Sequence, residues 1–141
     1  ANYYADKLPN MPSWIVWDKV AGLTSTRDIG FNDFADCELI WTNTGLPARI
    51  ISHRWMGAMK DSEHSERRIH PTQKPIALIE KIIKHITKEN DTVFDPFFGS
   101  CSTGKACLKT NRHFIGIEME EQYFNHAVEW FKNEMKQPTL F

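Results

Sequence analysis

Asp91–Glu118 reads DTVFDPFFGSCSTGKACLKTNRHFIGIE. Thr92-Val93-Phe94 is a short run of β-formers, and Asp95-Pro96 ends it because proline has no amide to give to a ladder. Gly99 sits in the turn that follows. Ser102 or Thr103 is then placed to cap a helix running to about Leu108, and Asn111-Arg112 breaks that helix. His113–Ile117 forms a second strand ending in an acid, Glu118. The pattern is a βαβ unit, which binds ligands at the carboxyl ends of its parallel strands.

Three nucleotide chemistries compete for this unit. Gly99 to Lys105 matches a phosphate-binding G-x-x-x-x-G-K loop, but Ala106 stands where a hydroxyl must hold magnesium. A dinucleotide G-x-G-x-x-G is not satisfied, because position 101 is Cys. The third chemistry is a nucleoside site without pyrophosphate. Gly99 lets backbone approach the ligand, and Glu118 takes ribose hydroxyls from the tip of the second strand, about twenty residues after the glycine. A purely structural βα turn with a surface glutamate is the plain alternative.

Upstream, Arg68-Ile-His-Pro-Thr-Gln-Lys-Pro75 leads into an amphipathic helix. HPTQKP, then DPFFGSCSTG, then FIGIE, in that order, strongly resembles the β class of amino-group DNA methyltransferases, which transfer methyl from S-adenosylmethionine to adenine N6 or cytosine N4. Asn2–Pro9, Trp14–Lys19 and Ala35–Trp41 look like the middle of phage-type members, so the resemblance covers nearly the whole chain. It implies an α/β, Rossmann-like methyltransferase fold, with a mixed sheet carrying an antiparallel hairpin, incomplete in this chain. It also implies one methyltransferase domain over residues 1–141, with S-adenosylmethionine as cofactor. Pro71, Thr72, Gln73, Lys74, Asp95, Phe97, Gly99, Ser100, Thr103 and Glu118 are its expected contacts.

The sequence departs from the family at two places. Cys101 stands where Gly is usual and Ser102 where Thr is frequent. Cys101 adds a side chain where backbone passes near the ligand, and it reaches positive φ less cheaply than glycine. The family's catalytic tetrapeptide, an Asp, Asn or Ser followed by Pro-Pro and an aromatic, is absent, since no Pro-Pro pair occurs. Asp95-Pro96-Phe97-Phe98 belongs to the cofactor loop by its neighbours. The resemblance therefore implies a carboxy-terminal portion with no catalytic residue of its own. In the family's strand order, 3-2-1-4-5-7-6, it would leave strand 1 with an unpaired apolar edge. The expected partners are DNA and either a missing amino-terminal half or a second copy of the chain.

Composition sets outer bounds. With 141 residues the chain is one domain's worth. Seventeen basic against 18 acidic residues give no overall positive balance for DNA, so a local patch must supply it. The three cysteines, at 37, 101 and 107, form no C-x-x-C and suit a reducing compartment. A zinc site is not expected. No membrane-length apolar run or signal peptide is visible. The expected location is the cytoplasm of a bacterium or phage-infected host.

Along the rest of the chain, Asn2–Leu8 suggests a helical turn, Ser13–Trp17 a strand and Asp18–Asp33 a loop. Cys37–Thr42 and Ala48–Trp55, joined by Asn43-Thr-Gly-Leu-Pro47, read as a hairpin. Gly57–Arg68 is polar and aperiodic, and residues 57–69 form a candidate DNA-facing loop. Arg54, Lys60, Arg67 and Arg68 are its candidate phosphate or base contacts, although a charged run is also what a solvated connector looks like. Ile79, Ile82, Ile83 and Ile86 mark the core face of a helix that starts near Pro75. Tyr123, Phe124, Ala127, Val128, Phe131 and Met135 mark another, with Trp130 off the stripe and placed to meet another chain.

The activity implied is methyl transfer to an exocyclic amine of an extruded base, with the amino-terminal segments favouring adenine over cytosine. The contrasting reading, which the missing Pro-Pro favours, is an inactive fragment or accessory half that binds DNA or a partner.

Overall fold

The computed structural model describes residues 6–10, 13–21, 35–56, 59–64 and 68–136. The expected loop over 22–33, most of the turn at 2–8, and Arg67 lie outside these residues. The chain forms two compact units, Ala1–His64 and Ser65–Phe141.

The first unit is built on β1, Trp14–Asp18, flanked by β2, Cys37–Trp41, and β3, Arg49–Ser52. β1 alternates in burial, with Ile15 and Trp17 facing inward and almost fully enclosed. Its central place is what makes that burial possible: β2 pairs antiparallel on one side and β3 parallel on the other. The expected hairpin between β2 and β3 is therefore corrected, because the two strands lie on opposite sides of β1. The connection from Thr42 to Ala48 passes the start of β1 and is pinned there. The Ser13 hydroxyl donates to the Leu46 carbonyl at 2.8 Å, and the Thr42 amide donates to the Ser13 carbonyl at 2.9 Å. Gly45, at φ +71°, turns the chain in open space, and Pro47 has no amide for a ladder. The run Ala48–Trp55 also divides. After β3 the chain opens into a short antiparallel pair, β4 Trp55–Met56 with β5 Met59–Lys60. The stretch read as irregular from Gly57 onward thus contains a strand.

The second unit holds the βαβ motif. β6, Thr92–Asp95, and β7, His113–Gly116, pair in parallel, with α2, Ser102–Lys109, between them in sequence. α1, Ile76–Ile86, and α3, Glu121–Lys136, complete it. Val93 and Phe114 project to one face of the pair. There they meet Ile76, Ile79 and Ile83 of α1 and Ala106 and Cys107 of α2. Phe114 also meets Ala127 and Phe131 of α3, beside Phe98 and Cys101. All three helices therefore pack on one face. The alternate residues, Phe94 and Ile115, are more than half exposed on the other.

The expected helix faces hold in part: Ile79 and Ile83 of α1 and Ala127 and Phe131 of α3 join the core, whereas the residues at the far ends of both stripes do not. In α1 the buried residues are Ile76, Leu78 and Ile83, while Ile86 at the last turn is exposed. In α3 only Ala127 is buried among the described residues, and Met135 is 72% exposed. Trp130 is half-buried and engaged within the chain. Its ring packs edge-on against Phe131 and lies 4.9 Å from the Lys105 ammonium.

α2 starts differently from expectation. Its N-cap is Cys101 in the left-handed region, φ 60°, and no side chain caps it. The Ser102 hydroxyl donates instead to the Lys74 carbonyl at 2.7 Å, and the Thr103 hydroxyl to Asp95 at 2.7 Å. Both hydroxyls tie neighbouring segments together.

Candidate functional site: a nucleoside cavity at the ends of two parallel strands

Asp95 is the last residue of β6 and organises the loop beyond it. One carboxylate oxygen accepts the Phe97 amide at 3.0 Å and the other accepts the Thr103 hydroxyl at 2.7 Å. The loop then turns at Gly99, φ +51°. Glu118, two residues past β7, closes the arrangement. One of its oxygens accepts the Gly99 amide at 2.7 Å and the other the Glu120 amide at 2.8 Å. Those amides, with Glu120 contributing most, hold the Glu118 carboxyl below the ordinary glutamate range against a smaller opposing effect of desolvation. The group is an ionised, acceptor-only carboxylate with lone pairs left for further donors.

A third segment borders these two. In the turn at residues 69–74, the Gln73 side chain accepts the Ile69 amide at 3.0 Å and the Gln73 amide donates to the His70 carbonyl at 3.1 Å. The three segments enclose a cavity of about 550 Å³, within the size range of small-molecule sites.

Of the residues expected to bind a cofactor, Thr72, Lys74, Asp95, Phe97, Gly99, Ser100, Thr103 and Glu118 line this cavity, whereas Pro71 and Gln73 do not. Gln73 is buried and shapes the turn. Met119 and Ile117, which flank the acid, and His70, which opens the HPTQKP motif, were not among the expected contacts; all three line the cavity. The signal for Met119 was an apolar residue beside a strand-end acid: it is 90% exposed, as Phe97 is 87% exposed. Cys101 does not line the cavity. Its side chain is fully buried toward Gly104, Phe98 and Ala127, and burial pushes its thiol up to about 11. The left-handed turn that would suit glycine sends the cysteine into the core rather than toward a ligand.

The order of these segments has a counterpart among known proteins. A DNA methylase family model, N6_N4_Mtase, matches residues 9–129. The chain belongs to this family. As a DNA methylase family member it is 39% identical over 97 residues to the type II methyltransferase M2.LlaDCHI of Lactococcus lactis subsp. cremoris, an alignment covering 69% of this chain and 31% of that protein. It is 42% identical over 73 residues to M2.DpnII of Streptococcus pneumoniae, covering 52% of this chain and 27% of that one. The crystal structure of an M1.HpyAVI–SAM complex superposes with a TM-score of 0.56 at 35% identity, covering 83% of this chain and 60% of that one. PvuII DNA methyltransferase, cytosine-N4-specific, shares the fold with a TM-score of 0.60 at 21% identity. The chain thus spans under a third of the curated relatives it matches.

The candidate DNA-facing residues of this methylase family member are differently placed. Arg54 is engaged by Asp61, which accepts its backbone amide at 2.8 Å and its side-chain Nε at 2.7 Å. The Arg54 amide, ahead of the guanidinium, lowers the Asp61 carboxyl. The Lys60 ammonium stands 4.7 Å from the centroid of the Trp55 ring. Arg68 is exposed and belongs to the second unit. No helix of the described residues is long and apolar enough to cross a membrane.

Proposed function

We propose that this chain carries the S-adenosylmethionine site of a DNA methyltransferase acting on an exocyclic amino group, adenine N6 in particular. The observation that carries the reading is Glu118, an ionised carboxylate at the end of β7, fastened to the Gly99 amide across a nucleoside-sized cavity. The residues present fit such a cofactor. Glu118 offers acceptors to a ribose diol, the exposed side chains of Phe97 and Met119 offer apolar surface to a purine, and Lys74 offers a positive charge to a carboxylate. When bound, S-adenosylmethionine supplies a methyl group on a sulfonium, a good leaving group. The work left to the protein is orientation. Asp95 holds the loop, Gly99 admits close approach, and Glu118 fixes the sugar.

The residues that orient the target amine are placed outside these 141 residues, because no Pro-Pro-aromatic motif lies within them. The exposed apolar face of Phe94 and Ile115 supports a companion segment, from the same protein or a second copy, packed against this one. DNA is the proposed substrate, with Arg54, Lys60, Arg67 and Arg68 as contacts. The preference for adenine rests on the resemblance of the amino-terminal segments, Asn2–Pro9, Trp14–Lys19 and Ala35–Trp41, to phage-type members.

Calorimetry with S-adenosylmethionine tests the reading. Binding to the wild-type chain that Asp95→Ala abolishes is the expected result. Absence of binding at millimolar cofactor would overturn it, and the accessory-half reading, which the missing Pro-Pro motif favours, would replace it.

A further inference from the structure

His70 lines the cavity, and its ring reaches both the Gly99 turn and α3. The Thr72 backbone amide points at its Nδ1 at 3.2 Å, and the Thr72 hydroxyl lies 3.0 Å from the same atom. A backbone N–H can only donate. Nδ1 therefore presents its lone pair, and the proton of the neutral ring sits on Nε2. On its other sides the ring packs edge-on against Tyr123 of α3, with centroids 4.6 Å apart. Its Cδ2 and Nε2 lie 3.4 Å from where a side-chain carbon on Gly99 would stand. Gly99 is in turn the amide that holds Glu118. Around the same cavity, Glu118 and Asp95 place acidic side chains near the ends of β7 and β6, and Lys74 places a basic one on the turn itself.

We propose that His70 is a positioning residue for the cofactor site: with Nδ1 accepting the Thr72 amide, its ring fastens the 70–73 turn against Gly99, and so holds the Gly99–Glu118 pair in the geometry the ribose meets. The inference rests on the cofactor reading above.

The test is S-adenosylmethionine calorimetry on the full chain with wild type, His70→Asn and His70→Ala. Asn places an amide oxygen near the position of Nδ1, where it can accept the Thr72 amide. His70→Asn should stay within about threefold of wild type, while His70→Ala should be about tenfold weaker. A His70→Asn variant as weak as His70→Ala, or a His70→Ala variant with wild-type affinity, overturns the proposal. A wild-type chain that does not bind overturns the cofactor reading beneath it, a result distinct from either. Should His70→Ala fail to fold, a His70→Asn variant more than about tenfold weaker than wild type still overturns the proposal.

Discussion

Replacing Glu118 by Gln isolates the group on which the proposed function turns. The two carboxylate oxygens each accept a backbone amide, Gly99 at 2.7 Å and Glu120 at 2.8 Å. A glutamine has one oxygen and one NH2, so whichever way it flips, a donor faces a donor that cannot reverse. One charge-assisted bond within the chain is lost outright, and such bonds contribute about 1.5–3 kcal/mol. Glu118 is partly exposed, so the low end applies and the folded state should lose about 1.5 kcal/mol in urea unfolding. A ribose hydroxyl that now meets an NH2 loses a second bond, and that loss falls on the complex alone, equivalent to about tenfold in affinity. Glu118→Gln should therefore weaken S-adenosylmethionine by about tenfold in calorimetry. A dissociation constant within about threefold of wild type would refute the reasoning. The pH dependence has a definite sign. The Glu118 carboxyl is lowered in the folded chain, so its contribution is complete above the ordinary glutamate range and is lost only as pH falls through the depressed value.

Gly104→Ala should cost about 1–3 kcal/mol in urea unfolding by overpacking, because its added carbon would stand 2.7 Å from the Cys101 sulfur and 2.8 Å from the Phe114 ring; an unchanged midpoint would contradict this packing. In the folded chain a thiol reagent followed by mass spectrometry should label exposed Cys37 first. Cys101 and Cys107, buried and raised to about 11, should react only on denaturation. Asp61→Asn removes the carboxylate that engages Arg54. If Arg54 meets phosphate, binding to nonspecific duplex should tighten and its log–log salt slope should steepen by about one, measured by fluorescence anisotropy; an unchanged slope argues against Arg54 as a DNA contact.

How much was legible follows from how local each feature is. β6, α2 and β7 lie within about a residue of their expected bounds, since Thr92-Val-Phe, the Gly99 turn and Asn111-Arg112 are punctuation that acts over a few residues. The loss of β2–β3 pairing could not be read there. A seven-residue link with a glycine and a proline suits a hairpin as well as a crossing, and only the demand of Ile15 and Trp17 for burial from both sides puts β1 between the two strands. The roles of the α2 hydroxyls were missed for a related reason. Ser102 and Thr103 are ordinary cap residues by type, but Asp95 and the Lys74 carbonyl are nearer partners once the loop closes. Gln73 and Thr72 are adjacent in one motif, yet one is spent inside the turn and the other lines the cavity.

By itself the sequence determined the family, the order of its three motifs, and the spacing that brings a glycine turn and an acid to the same ends of two parallel strands. Those are properties of residue type and chain distance. Only the tertiary structure decided that Glu118 reaches the Gly99 amide, that Cys101 turns into the core, and that His70 joins the turn to the loop and to α3. Each depends on which groups meet across segments far apart in the chain. Packing and hydrogen-bond satisfaction settle that, and a linear pattern carries no record of it.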